Sequence, residues 1–263
     1  MTVRIGDYTV VPVIEGTVAP GFSQVRDAFE VVAAREPGLE AQLAVYKDGR
    51  QVVDLWTALS GDSLLALFSS GKGAVHLVIA MLVQDAALEL DRSVGDYWPE
   101  LVVDVTLREL LTHRAGLIGV DGGFTSEELA DDRLLAERLA GQTPYWRPGT
   151  AYGYHAFVLG ALAGEVVRRA TGQSVQELYR ERVREPYGLD FFLGLPPELE
   201  PRYLPVLPPV EQQPSPDPQS LTGIAFNAPT DLVEFIFGLG QASPDLEQAI
   251  EGLRPGESAR MIL

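Results

Sequence analysis

Ser69-Ser70-Gly71-Lys72 sets a hydroxyl and a primary amine three residues apart. On a helix opening at Ser69 the two side chains share a face. Serine is a poor nucleophile at its free pKa and needs an adjacent base. A lysine becomes that base only if burial or a nearby positive charge lowers its pKa. The flanking runs, LLALF before and GAVHLVIAML after, are apolar enough to desolvate the amine. A helix N-terminus also offers free N–H groups to an oxyanion. Nucleophile, base and half an oxyanion hole thus fit in one short segment. For an isolated S-x-x-K the plainer reading is a Ser N-cap followed by a solvated lysine. Here Lys72 sits in an apolar stretch of a chain with only two lysines, Lys47 and Lys72; the other eighteen of its twenty basic residues are arginine.

Tyr154, in WRPGTAYGYH, is the second candidate. A phenol relays protons if a cation lowers its pKa. Alone, it reads more plainly as an aromatic plug before an apolar helix. Ser70 competes with Ser69 as nucleophile, but its three-residue partner is Gly73, so it has no lysine in register. His76, four residues after Lys72 on the same apolar helix, reads as a packed or hydrogen-bonded histidine. Asp91 reads as a turn or cap residue.

The rest of the composition excludes other chemistries. With 37 acidic against 20 basic residues the formal net charge is -17. Such a chain repels phosphate backbones, and no basic patch offsets this, so no nucleic-acid partner is expected. There are no cysteines, which removes thiolate nucleophiles, disulfides and Cys-type zinc sites. The absence of cysteine is compatible with a reducing cytosol. Three histidines form no H-E-x-x-H, and no metal or other cofactor is expected. No G-x-S-x-G elbow and no Walker A occur. MTVRIGDYTVVPVIEG lacks the pattern of a signal peptide, and no apolar run is long enough to span a membrane, so a cytoplasmic protein without membrane contact is expected.

These residues need elements to position them. AQLAVYKDGRQVVDLW, residues 41–56, predicts a hairpin turning at Asp48-Gly49. Residues 69–89 predict a long buried helix opening at Ser69 or Ser70. Thr106 to Thr112 predicts a short helix with a Thr106–Glu109 capping box, stopped at Gly116. Residues 126–140 predict an amphipathic helix, 155–170 an apolar one and 174–184 an exposed one. Residues 196–218 are Pro-rich and read as a loop or extended crossing segment. The tail, 230–263, holds one apolar helix candidate and a weakly patterned end. Only two strands are clear against at least five helices, and a lone hairpin is marginal.

Four stretches resemble, in order, the serine β-lactamase and penicillin-binding-protein superfamily, in its esterase-like branch related to class C β-lactamases. AVYKDGRQVVDLW resembles the family's first two strands. FSSGKGAVHLVIAMLVQDAALELDRSVGDYWPEL resembles its S-x-x-K helix and the segment after it. VTLRELLTHRAGL resembles a recurring family stretch. WRPGTAYGYHAFVLGALAGEVVRRATGQSVQELYRERVREPYGLD resembles the tyrosine motif, the next helix and the segment beyond it. The resemblance covers roughly residues 15–195. It implies an α/β (α+β type), β-lactamase/transpeptidase-like fold in one domain, 1–263: an antiparallel sheet flanked by helices, plus a mainly helical subdomain at roughly 90–190. It implies an acyl-enzyme on Ser69, Lys72 as base or electrostatic activator, Tyr154 as proton relay, and the Ser69 backbone N–H as an oxyanion donor. His155 becomes a substrate-pocket candidate, and His113 is expected to be mainly structural.

The sequence departs from the family twice. Lactamases and peptidases usually carry Tyr-x-Asn; here it is Tyr154-His155-Ala156, a form closer to the esterase-like branch. The family's third motif, Lys-Thr-Gly or a His- or Trp-containing variant, has no counterpart: Leu221-Thr222-Gly223 lacks the basic residue. An incomplete sheet is therefore expected. The chain reads best as a carboxylesterase acting on a small-molecule ester or amide. The alternatives are a β-lactamase or D-Ala-D-Ala carboxypeptidase, and a truncated or degenerate non-catalytic homologue.

Overall fold

The computed structural model describes residues 3–5, 8–10, 13–36, 38–206 and 216–226. The chain divides into two compact units, one of residues 1–64 with 202–204, the other of 65–201 with 205–263. The tail over 230–263, where the sequence predicts an apolar helix, lies outside the described residues, as does the middle of the Pro-rich segment, 207–215.

The first unit holds strands β1 (Val3–Ile5), β2 (Tyr8–Val10) and β3 (Ile14–Val18), helix α1 (Ser23–Arg35), and strands β4 (Ala41–Lys47) and β5 (Arg50–Thr57). The expected hairpin is β4–β5. Asp48 and Gly49, with φ of 52° and 73°, take the positive angles that a tight two-residue turn requires. The sheet order is β3-β5-β4, antiparallel throughout. Along β5 the alternate residues Val53, Leu55 and Thr57 are buried, the period of a half-covered strand. Helix α1 packs on β3 and β5, and Arg26 ties it down by donating to the carbonyls of Ile14 and Gly16 at 3.1 and 2.7 Å. Strands β1 to β3 leave no clear signal in the sequence: the first two are three residues each, too short to show alternation.

The short strand β6 (Leu64–Leu65) lies where the chain passes from the first unit to the second. The second unit is helical: α2 (Gly71–Gln84), α3 (Leu107–Leu111), α4 (Ser126–Ala130), α5 (Asp132–Ala140), α6 (Leu159–Thr171), α7 (Val175–Tyr179) and α8 (Glu185–Tyr187). Strand β7 (Tyr203–Leu204) belongs to the first unit and α9 (Leu221–Ala225) to the second. Helix α6 is the hub, packing against α2, α3, α5 and α7. Its Leu159, Leu162, Ala163, Val166 and Val167 are fully buried in a core that also holds Val75, Ile79, Trp98, Leu107, Leu110 and Leu139.

Several boundaries differ from expectation for local reasons. Helix α2 ends at Gln84, short of 89, because Ala86 turns to a φ of 58°, and the N–H groups of Ala87 and Leu88 fold back on the Leu82 carbonyl. Helix α3 has the expected capping box, but its stop is His113 at φ 61°, not Gly116. The single helix expected over 126–140 is two. Asp131 breaks it by accepting from the N–H groups of Arg133 and Leu134 and so capping α5. Helix α6 begins at Leu159, four residues late. The helix expected to be exposed over 174–184 buries Val175, Leu178, Tyr179 and Val183, and its second half is a π-helical turn. Within the Pro-rich segment, residues 197–202 form a short 3₁₀ helix before β7.

Candidate active site

Ser69 lies in a 3₁₀ turn, Phe68–Ser70, that leads into α2. The turn is held by Ser70 N–H on the Leu67 carbonyl at 3.0 Å. Phe68, just before the serine, has a φ of 44°, a left-handed conformation that costs a non-glycine residue of order 1–2 kcal/mol. Ser69 itself is exposed.

Lys72 is on the first turn of α2, with only 6% of its surface exposed. Its Nζ donates to Ser69 Oγ at 3.2 Å and to the Ala156 carbonyl at 2.6 Å. The ammonium also sits 5.2 Å from the centroid of the Tyr154 ring. Among the described residues no carboxylate forms an ion pair with it. Burial without a counter-charge disfavours the charged form and lowers its pKa from 10.5 to about 8. Of the two serines, it is Ser69 whose hydroxyl meets the amine.

Tyr154 and Ala156 lie in a segment, 151–158, without helix or strand, that leads into α6. Tyr154 is half-buried. Its ring lies 4.8 Å from that of His113 and 6.1 Å from Phe226, which follows α9. Phe226 also meets Phe157 edge-on at 6.4 Å and is 52% exposed. These contacts give the site an apolar aromatic side. Gly153 is required by a close approach: a Cβ there would lie 2.4 Å from Cη2 of Trp146.

The three histidines have separate settings. His76 is half-buried, with Nδ1 2.6 Å from the Lys72 carbonyl and Nε2 3.3 Å from that of Leu111, the hydrogen-bonded role expected of it. His155 has no exposed surface. Its Nδ1 donates to the Gly153 carbonyl at 2.6 Å, and its ring stands perpendicular to Trp146 at 6.1 Å. The side chain expected from sequence to line the pocket therefore points into the protein. Its Nε2 has no partner among the described residues, and burial lowers its pKa to about 4. His113 also falls to about 4, through burial first and then the nearby charges of Lys72 and His76. Asp91 is exposed and held by Arg108 at 2.7 and 2.9 Å.

Ser69, Lys72 and Tyr154 are legible in the sequence, and the fold brings them together. The Ala156 carbonyl is not, since any residue supplies one, and Phe226 follows a segment with no chemical signal. Among the described residues no group of three or more His, Asp or Glu is placed to hold a metal ion, and no helix is long and apolar enough to cross a membrane.

The beta-lactamase family's sequence model matches residues 26–261. An esterase/beta-lactamase, LipL, of Mycobacterium tuberculosis is 34% identical over 199 residues, which are 69% of this chain and 45% of that protein. The chain thus spans less than half the length of this curated relative. The solved structure of EstA from Arthrobacter nitroguajacolicus Rue61a is 38% identical with a TM-score of 0.77, covering 92% of this chain and 64% of that one. A crystal structure of a family VIII carboxylesterase is 37% identical with a TM-score of 0.68, covering 73% and 58%.

Proposed function

The chain belongs to the beta-lactamase family and has its β-lactamase/transpeptidase-like fold, and from that premise we propose that it is a serine hydrolase, a carboxylesterase that forms an acyl-enzyme on Ser69 with small esters. The observation that carries this reading is the buried amine of Lys72, bonded at once to Ser69 Oγ and to the Ala156 carbonyl.

In the charged form Nζ donates to both oxygens. As a neutral amine it keeps a hydrogen on the Ala156 carbonyl and turns its lone pair to the Ser69 hydroxyl. Ser69 Oγ then attacks the ester carbonyl and gives its proton to Nζ. The negative charge on the carbonyl oxygen meets the Ser69 backbone N–H at the mouth of α2. The carbon–oxygen bond to the alcohol breaks, and the alcohol leaves with a proton passed from Lys72 by way of the Tyr154 phenol. The acyl group stays on Oγ. Water attacks the acyl carbon and gives a proton back along the same route to Lys72; the bond to Ser69 Oγ then breaks, Oγ takes that proton from Lys72, and the acid departs. Phe226 and Phe157 form an apolar side for an acyl chain.

Esters are favoured over β-lactams and peptides because position 156 is alanine. Its methyl offers no amide to pair with the polar amide that those substrates carry beside the scissile bond. The name of the mycobacterial relative, an esterase/beta-lactamase, keeps β-lactam opening as the second reading.

The test is intact-mass analysis with peptide mapping after exposure to a fluorophosphonate, with Ser69→Ala alongside. A single adduct on Ser69, absent in the variant, is expected, with turnover of short-chain nitrophenyl esters. No adduct on a cooperatively folded chain would sink the acyl-enzyme reading. Nitrocefin opening faster than ester turnover would replace the esterase by the lactamase.

A further inference from the structure

The mechanism needs Tyr154 beside Lys72 and the Ala156 carbonyl on Nζ, yet residues 151–155 carry no regular structure of their own. Something outside the segment must hold it. His113 does so at two points. Its backbone carbonyl accepts the Gly153 N–H at 3.1 Å, and its Nδ1 accepts the His155 N–H at 3.0 Å. The two peptide groups so held flank Tyr154, whose ring lies 4.8 Å from the imidazole.

We propose that His113 is a positioning residue for the acyl transfer: it clamps the backbone on both sides of Tyr154, and so sets the Ala156 carbonyl that orients Lys72 toward Ser69. This rests on the acyl-enzyme reading. A helix stop alone does not explain the residue. His113 ends α3 at φ 61°, where glycine is at ease and a histidine is strained. What histidine adds over glycine is an acceptor nitrogen, and that nitrogen is in use.

The clamp also specifies a protonation state. Nδ1 accepts only if it is unprotonated, with the ring proton on Nε2. The groups facing the ring are Tyr152, Tyr154 and His155, with Lys72 and His76 close enough to act through their charge. Burial before all else holds the ring neutral down to about pH 4, so the acceptor persists wherever Lys72 is able to act.

Two substitutions separate positioning from mere capping. His113→Gly suits the positive φ but has no acceptor. His113→Asn tolerates the φ and restores an acceptor oxygen near the place of Nδ1. The readouts are thermal stability, the rate of fluorophosphonate labelling of Ser69, and its pH profile. His113→Gly is expected to keep the parent's melting temperature, to label about ten- to a hundredfold more slowly, and to shift the alkaline rise upward as water reaches Lys72. His113→Asn is expected to recover most of the rate. Labelling at the parent rate by His113→Gly, or no recovery in His113→Asn, would overturn the proposal. Should the glycine variant not fold, nitrogen-15 NMR of the parent's imidazoles decides alone: an unprotonated Nδ1 is expected, and a proton on Nδ1 at pH 7 overturns it. A parent that takes no adduct at any pH sinks the acyl-enzyme reading instead, and does so before any change at position 113.

Discussion

The pH dependence of Ser69 acylation tests the physical core of the mechanism, because the base must be a neutral amine. A solvated lysine near pKa 10.5 is neutral in only about 0.03% of molecules at pH 7, whereas the buried Lys72, at about 8, is neutral in about 9%, a gain of roughly 300-fold. The neutral fraction then climbs about tenfold from pH 6 to 7, about fivefold from 7 to 8, and less than twofold from 8 to 9. If the neutral amine takes the Ser69 proton, the second-order labelling rate tracks that curve and levels off near pH 9. The assay is stopped-time labelling with a fluorescent fluorophosphonate between pH 5.5 and 10, corrected for probe hydrolysis, with Ser69→Ala and Lys72→Arg as controls. Arginine stays charged throughout, so that variant is expected to lose about two to four orders of magnitude in rate and the pH rise with it. A rate that is flat from pH 6 to 9 would refute Lys72 as the base. A rate still rising tenfold per pH unit at pH 9 would show the amine to be solvated, and burial would not be what activates it.

The same burial predicts a stability cost. Below pH 8 the folded state must hold Lys72 charged against a preference for the neutral form, and the cost vanishes as pH rises through the unfolded value of 10.5. Lys72→Met is therefore expected to be more stable at pH 7, by up to about 3 kcal/mol, with the gap closing towards pH 10.5 in urea titrations; a less stable variant would contradict this. His155 adds a dependence of the same sign in a more acid window. It is buried neutral with a pKa of about 4 against 6.5 unfolded, so stability falls as pH drops through 6.5 and stops falling below 4. His155→Phe should remove about 2 kcal/mol of the loss between pH 7 and 5, read from urea midpoints, and an unchanged acid slope would exclude His155 as its source. Gly153→Ala brings a methyl to 2.4 Å from the Trp146 ring. It is expected to lower stability by about 1–3 kcal/mol and to slow Ser69 labelling, and a variant equal to the parent in both would show that the ring yields freely.

The features legible in the residues alone are local ones. Asp48-Gly49 between two apolar runs is a turn wherever it occurs, because few residues accept two consecutive positive φ angles. Thr106 and Glu109 close a capping box within one helical turn. Ser69 and Lys72 meet because three residues on a helix bring side chains to one face. The family's order of motifs extended this to the fold. It did not extend to where helices break, since Asp131 splits 126–140 by a hydrogen bond to backbone that an apolar pattern does not register.

The rest of the site came from packing between distant parts of the chain. Lys72 could have been a solvated lysine; the assembled helical unit buries it, and the Ala156 carbonyl, 84 residues away, orients its head. His113 became a clamp because the fold carries the backbone of 153–155 past it. His155, expected at a pocket wall, turned inward because Gly153 leaves room for Trp146 to press against that segment. The settings of Lys72 and His113 depend on desolvation or on a backbone carbonyl or N–H. Desolvation belongs to the assembled surroundings, and every residue offers the same carbonyl, so neither is written in side-chain identity.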